Sequence, residues 1–240
     1  MHRKPGTLVL LLVLLAVLTC AMPALAQFRY PEALPQAQSA SGKALVAKAQ
    51  AAVDAKQWGN AEAALKQLVL LEPRWEYADV LGAMQGNQGH YQDALASHQR
   101  ALDLAQGSAA PTAMAGIYLR IGNANLKLKN NDAAVAAYGK AATLDPHPAT
   151  AYFNLCATMY NIGKTGADAV AACDKAIAAD PRKADAYFIK GSMLFGDSKI
   201  DKNNKIVVPA GTVEMLRQYL ALAPTGPHAS DVNQMLDALK

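Results

Sequence analysis

Aromatic side chains make up only 6% of this 240-residue chain, with two tryptophans and four phenylalanines. Beside abundant alanine, that scarcity argues against a sheet core built on aromatic and β-branched packing, and for helices that approach closely through small side chains. Charge of one sign is lacking as well. Lysine and arginine number 23 against 19 acidic residues, so no strong global field points to nucleic acid or anionic lipid. Beyond the N-terminal leader, no apolar run approaches the ~20 residues that a membrane-spanning helix needs. Catalytic signatures are missing too: there is no Gly-x-Ser-x-Gly elbow, no glycine-rich phosphate loop and no His-Glu-x-x-His. His90, His98, His147 and His228 each stand apart in sequence. Asp201-Lys202-Asn203-Asn204-Lys205 has the start of a calcium loop, but lysine holds the third oxygen-ligand place and no glutamate follows at the required spacing. The expectation is a chain that is not an enzyme, with no metal and no cofactor.

Cysteine is rare, at three residues. The first, Cys20, lies in a leader. His2, Arg3 and Lys4 form its basic start, Leu8 to Leu18 its apolar stretch, and Ala24-Leu25-Ala26 a small-x-small cleavage signal. Cleavage after Ala26 makes the mature chain periplasmic or secreted; the alternatives are an uncleaved anchor or a lipid attached at Cys20. Loss of Arg3 and Lys4 lowers the net charge from +4 to +2. Cys156 and Cys173 remain, 17 residues apart. In an oxidising compartment they read as a disulfide between two helices of one hairpin, the alternative being two buried thiols.

What the chain does have is a period. Ala61, Ala94, Ala134 and Ala169 recur about every 34 residues in alanine-rich amphipathic stretches, and Pro73, Pro146 and Pro181 each follow twelve residues after one of them. Such a period predicts stacked helical hairpins rather than a core around a pocket. The units fall at about 42–74, 75–108, 112–147, 149–183 and 184–225. A flexible linker over 27–40 precedes them, with a helix start near Ser41-Gly42. A capping helix over 229–239 follows, started by Ser230. The second unit lacks the closing proline, and Pro111 suits the first turn of the next helix. The fifth carries an insertion, 197–209, where Ile200 and Ile206-Val207-Val208 flank a polar turn and predict a short β-hairpin or extended loop.

These marks resemble the tetratricopeptide repeat. The resemblance rests on Leu81-Gly82 with Tyr91, Ala94 and Ala101; on Tyr118, Ile121-Gly122, Ala134, Tyr138, Ala141 and Pro146; and on Tyr187 with Gly191. It covers about 42–225 and implies an all-α, right-handed superhelical solenoid of about five helix-turn-helix units. Departures are the missing second proline, Cys156 in place of a small glycine or alanine, Asp168 beside the helix-B alanine position, and the long fifth turn.

In such arrays the first helix of each unit lines a concave groove. Helical spacing then places Leu119, Asn123 and Leu126 there from the third unit; Phe153, Asn154, Ala157 and Tyr160 from the fourth; and Phe188, Ser192 and Phe195 from the fifth. The groove reading is a partly apolar surface for a peptide or helix of another protein; the alternative for each ring is that it fills the junction between units. A related repeat holds terminal carboxylates with lysine and asparagine. Asn123 and Asn154 match its asparagines, but Leu119 stands where its lysine is expected, which argues against that ligand. The expected function is a protein–protein interaction scaffold of the cell envelope. The alternative is a docking subunit of an envelope assembly or secretion complex, acting through 197–209 or the convex face. No nucleic-acid partner is expected, and the linker, with Phe28 and Tyr30, is itself a possible occupant of the groove.

Overall fold

A computed structural model describes residues 34–240. The expected leader over 1–26 and the first part of the expected linker lie outside the described residues. Among those described, eleven helices and one two-stranded sheet form the fold, in line with the all-α repeat array that the sequence predicts. They divide into two structural units, 34–148 and 149–240.

The first unit holds three helical hairpins: α1 (Ala40–Asp54) with α2 (Trp58–Leu71), α3 (Trp75–Asn87) with α4 (Tyr91–Ala105), and α5 (Pro111–Lys127) with α6 (Asn131–Leu144). Its core runs through Leu65, Leu68, Tyr77, Met84 and Ile117, all fully enclosed. The first helix starts earlier than expected. Ser39, not Ser41, is the cap, and its hydroxyl accepts the Gly42 N–H at 2.9 Å. That bond satisfies one of the orphan amides at a helix start. Pro111 sits at the first turn of α5, as its fixed φ allows.

The hairpins close through one recurring contact. A Cβ on Gly82 would lie 2.7 Å from the His98 ring, and one on Gly122 would lie 2.5 Å from the Tyr138 ring. Each glycine on a first helix thus admits a large side chain from the second. That is the physical content of the small-residue marks in the sequence.

The second unit pairs α7 (Ala149–Asn161) with α8 (Ala167–Ala179), and α9 (Ala184–Gly196) with α10 (Thr212–Leu222); α11 (Ala229–Asp237) packs on α10. His228 rather than Ser230 is the cap residue of α11, and Ser230 lies inside the helix. Between α9 and α10 the insertion folds as an antiparallel hairpin, β1 (Lys199–Ile200) with β2 (Ile206–Val207), in the register Lys199 to Val207 and Ile200 to Ile206. Asp201 closes it: its carboxylate accepts the N–H groups of Asn203 at 2.8 Å and Lys205 at 2.9 Å. The carboxylate thus serves as a turn anchor.

Candidate binding surfaces

The ten groove residues expected from helical spacing divide between the two units, three in the first and seven in the second, where Ala157 is buried.

In the first unit, Leu119 and Leu126 are half-buried on α5. Asn123, between them, is 5% exposed, and its side-chain oxygen accepts the Tyr138 hydroxyl at 2.7 Å. That bond commits Asn123 to holding the α5–α6 hairpin. Burial pushes the Tyr138 hydroxyl far above its ordinary pKa, so it stays a donor. Nearby, Asp79 on α3 gathers a polar cluster that the sequence reading did not single out. Its carboxylate accepts from His98 Nδ1 at 2.8 Å and pairs with Arg120 at 3.2 Å. Burial holds His98 below its ordinary pKa; the hydrogen bond to Asp79 opposes this without overcoming it. The imidazole is therefore neutral and donates through Nδ1. A second polar seam joins α2 to α3: Gln85 donates to Glu62 at 3.1 Å and receives the Ser97 hydroxyl at 2.7 Å. Burial alone would raise the Glu62 carboxyl, but bonds from Lys66, Gln85 and Gln88 together hold it below the usual range. The available signal for both clusters was a polar residue on an otherwise apolar stripe.

In the second unit, the three phenylalanines differ from a ligand-facing reading. Phe153, Phe188 and Phe195 are 7%, 3% and 6% exposed and belong to the hydrophobic core. Phe188 stacks on the His228 ring, centroids 3.9 Å apart and planes within 2°, and Tyr219 tilts against it at 5.7 Å. The Tyr219 hydroxyl accepts the His228 N–H at 2.9 Å and fixes the stack. Lys183 covers Phe153, its ammonium 4.4 Å from the ring centroid. Asn154 and Tyr160 on α7 remain half-buried. Ser192 on α9 is 6% exposed, and its hydroxyl has no hydrogen-bond partner among the described residues.

Cys156 and Cys173 are joined between α7 and α8, with Cα atoms 5.0 Å apart. Outside the helices, Ile200 and Val207 on the hairpin are 51% and 52% exposed. By the strand register they point to opposite faces of the ribbon. An open cleft of about 520 Å³ lies on the first unit, lined by Leu95, Tyr118, Ile121 and Lys140 among others. Among the described residues, no group of three His, Cys, Asp or Glu could hold a metal ion, and no helix is long and apolar enough to cross a membrane.

Comparison with known proteins agrees with this architecture. Residues 115–148 match the tetratricopeptide repeat. Among solved structures, a MamA protein aligns over 77% of this chain and 92% of its own, with 22% identity and a TM-score of 0.63. YrrB, described as a tetratricopeptide-repeat protein with an unusual peptide-binding site, aligns over 84% and 98%, with 18% identity and a TM-score of 0.60. A tetratricopeptide-repeat protein from Parabacteroides merdae aligns over 83% and 75%, with 18% identity and a TM-score of 0.64. No curated protein matched in sequence. The chain thus carries a tetratricopeptide repeat at 115–148, and its fold is that of tetratricopeptide-repeat proteins.

Proposed function

We propose that this chain is a non-enzymatic protein–protein interaction scaffold of the cell envelope. It takes up a peptide or helix segment of another protein on the inner faces of α7 and α9.

One observation carries the reading. The Ser192 hydroxyl is enclosed without a partner among the described residues, between Phe188 and Phe195 on the same helix. An unsatisfied buried polar group costs about 1–3 kcal/mol, and a segment that parts the side chains over Ser192 and supplies a backbone donor or acceptor recovers that cost. On α7 the equivalent position is Ala157, and Asn154 and Tyr160 lie about one helical turn to either side of it. Rigid helices hold these groups at fixed spacing, so the incoming segment bears most of the ordering entropy. The tetratricopeptide fold and the peptide-binding site named for YrrB are consistent with this mode.

The test pairs Asn154→Ala with Tyr160→Ala in the mature protein, with retained helicity checked by circular dichroism. Envelope proteins captured by the wild type should fall at least tenfold in recovery on the folded double variant. Unchanged recovery would overturn the groove reading.

A second reading has its own support in the exposed Ile200 and Val207, which suit docking by strand addition or apolar contact. Deleting 199–208 separates the two: groove capture survives the deletion, hairpin docking does not.

A further inference from the structure

Residues 34–39 run without regular secondary structure against the first hairpin, and side chains from α1, α3 and the end of α2 hold their backbone group by group. Gln50 on α1 accepts the Leu34 N–H at 3.3 Å. Tyr77 on α3 donates its hydroxyl to the Pro35 carbonyl at 3.1 Å. Arg74, at the start of α3, donates to the Gln36 carbonyl at 2.7 Å. Glu72, at the end of α2, accepts the N–H groups of Gln38 at 3.0 Å and Ser39 at 2.8 Å, and also the Ser39 hydroxyl. Leu34 and Ala37 are the side chains that go inward, at 6% and 5% exposure. Gly42 on α1 keeps the channel open: a Cβ there would collide with the Glu72 carboxylate and lie 2.8 Å from the Ala37 methyl.

Five backbone groups between Leu34 and Ser39 read by four side chains, with two apolar anchors, form a pattern of peptide recognition rather than of ordinary core packing. The receptor side is also braced without the strap. Arg74 pairs with Glu76 at 2.9 Å and lies over the Tyr77 ring at 5.2 Å. Preorganisation of that kind reduces the entropy lost on binding.

We infer that Gln50, Glu72, Arg74 and Tyr77 form a binding site for a non-helical peptide in which an apolar residue is followed by proline and, after one further residue, by alanine. Leu34 to Ala37 of this chain is its occupant in cis. Tethering gives the strap an effective concentration of order millimolar. The site is therefore closed to a peptide in trans until the strap is released. This inference is independent of the proposal for α7 and α9.

The test uses the full mature chain with Leu34→Asp and Ala37→Asp, which remove both anchors of the strap. A fluorescent peptide carrying residues 33–40 of this chain is titrated against it. The released chain should bind at least tenfold more tightly than the wild type, and adding Arg74→Ala and Tyr77→Phe should abolish the gain. A folded, released chain that binds no better than the wild type overturns the inference. A second measurement does not require the aspartate variant to fold. In the otherwise wild-type chain carrying Arg74→Ala and Tyr77→Phe, the Leu34, Gln38 and Ser39 amides should exchange hydrogen at least tenfold faster, with α3 unchanged. Unchanged protection of the strap, or equal loosening of α3, would show it to be ordinary core structure and would also overturn the inference.

Discussion

Cys156 and Cys173 are bonded at the level of the hairpin where Gly122 meets Tyr138 in the third repeat and Gly191 meets Leu216 in the fifth. The fourth repeat therefore replaces a steric contact between a small and a large residue with a covalent one, and the extra residue of its turn makes the separation 17. The covalent link constrains the unfolded chain, where the steric contact acts only in the folded one. In the chain-entropy account a loop of this size is worth about 3 kcal/mol. Replacing both cysteines by alanine should lower stability by about that amount in a denaturant titration. Non-reducing mass spectrometry of protein purified without reductant should yield a peptide joined at Cys156 and Cys173; free thiols there would contradict the assignment.

Two glycine substitutions should move stability in opposite directions. Gly122→Ala places a methyl 2.5 Å from a Tyr138 ring that its bond to Asn123 holds in place. Overpacking of this kind costs about 1–3 kcal/mol. Gly139→Ala, on α6, meets nothing within 4 Å and should stabilise by about 0.5–1 kcal/mol through helix entropy. Thermal unfolding of the two variants against the wild type decides both.

The His98 cluster predicts a pH dependence with a definite sign. The folded imidazole titrates below its ordinary 6.5 because it is buried, with Asp79 and Arg120 beside it. The unfolded chain takes up a proton near 6.5 while the folded one does not. This group's contribution is therefore present above that value and is lost as pH falls through the lower, folded value. Denaturant midpoints should drop between pH 7 and 5, and His98→Gln should flatten that slope. An unchanged slope in the variant would assign the dependence to other groups.

Much of the repeat was legible before the structure. Pro73, Pro146 and Pro181 end their helices because proline bars the preceding residue from the helical region, and Gly82 and Gly122 mark close approach by their lack of a side chain. The strap was not legible. Its bonds join residues 16 to 42 apart through side chains that any helix surface carries, so Glu72, Arg74 and Tyr77 leave no periodic trace. What reads as a proline-containing linker is therefore, over 34–39, a docked segment. The proposed groove rests, in the sequence, on a helix face alone. Spacing predicts Phe188 and Asn154 on one face of α9 and α7, but cannot tell a ring covered by His228 from a side chain left half-exposed. The stack depends on Pro227-His228 arriving from beyond α10, a tertiary event with no mark on α9 itself.

The central claim is that a partner segment lies on the inner face of α7 and α9. The most direct measurement puts a photo-crosslinking residue at Tyr160, with a second copy labelled at Val207, in chains expressed from the full 240-residue sequence and irradiated in the cell. Protein adducts at Tyr160 that disappear with Asn154→Ala are the predicted result. Adducts confined to Val207, or none at Tyr160, would contradict the claim.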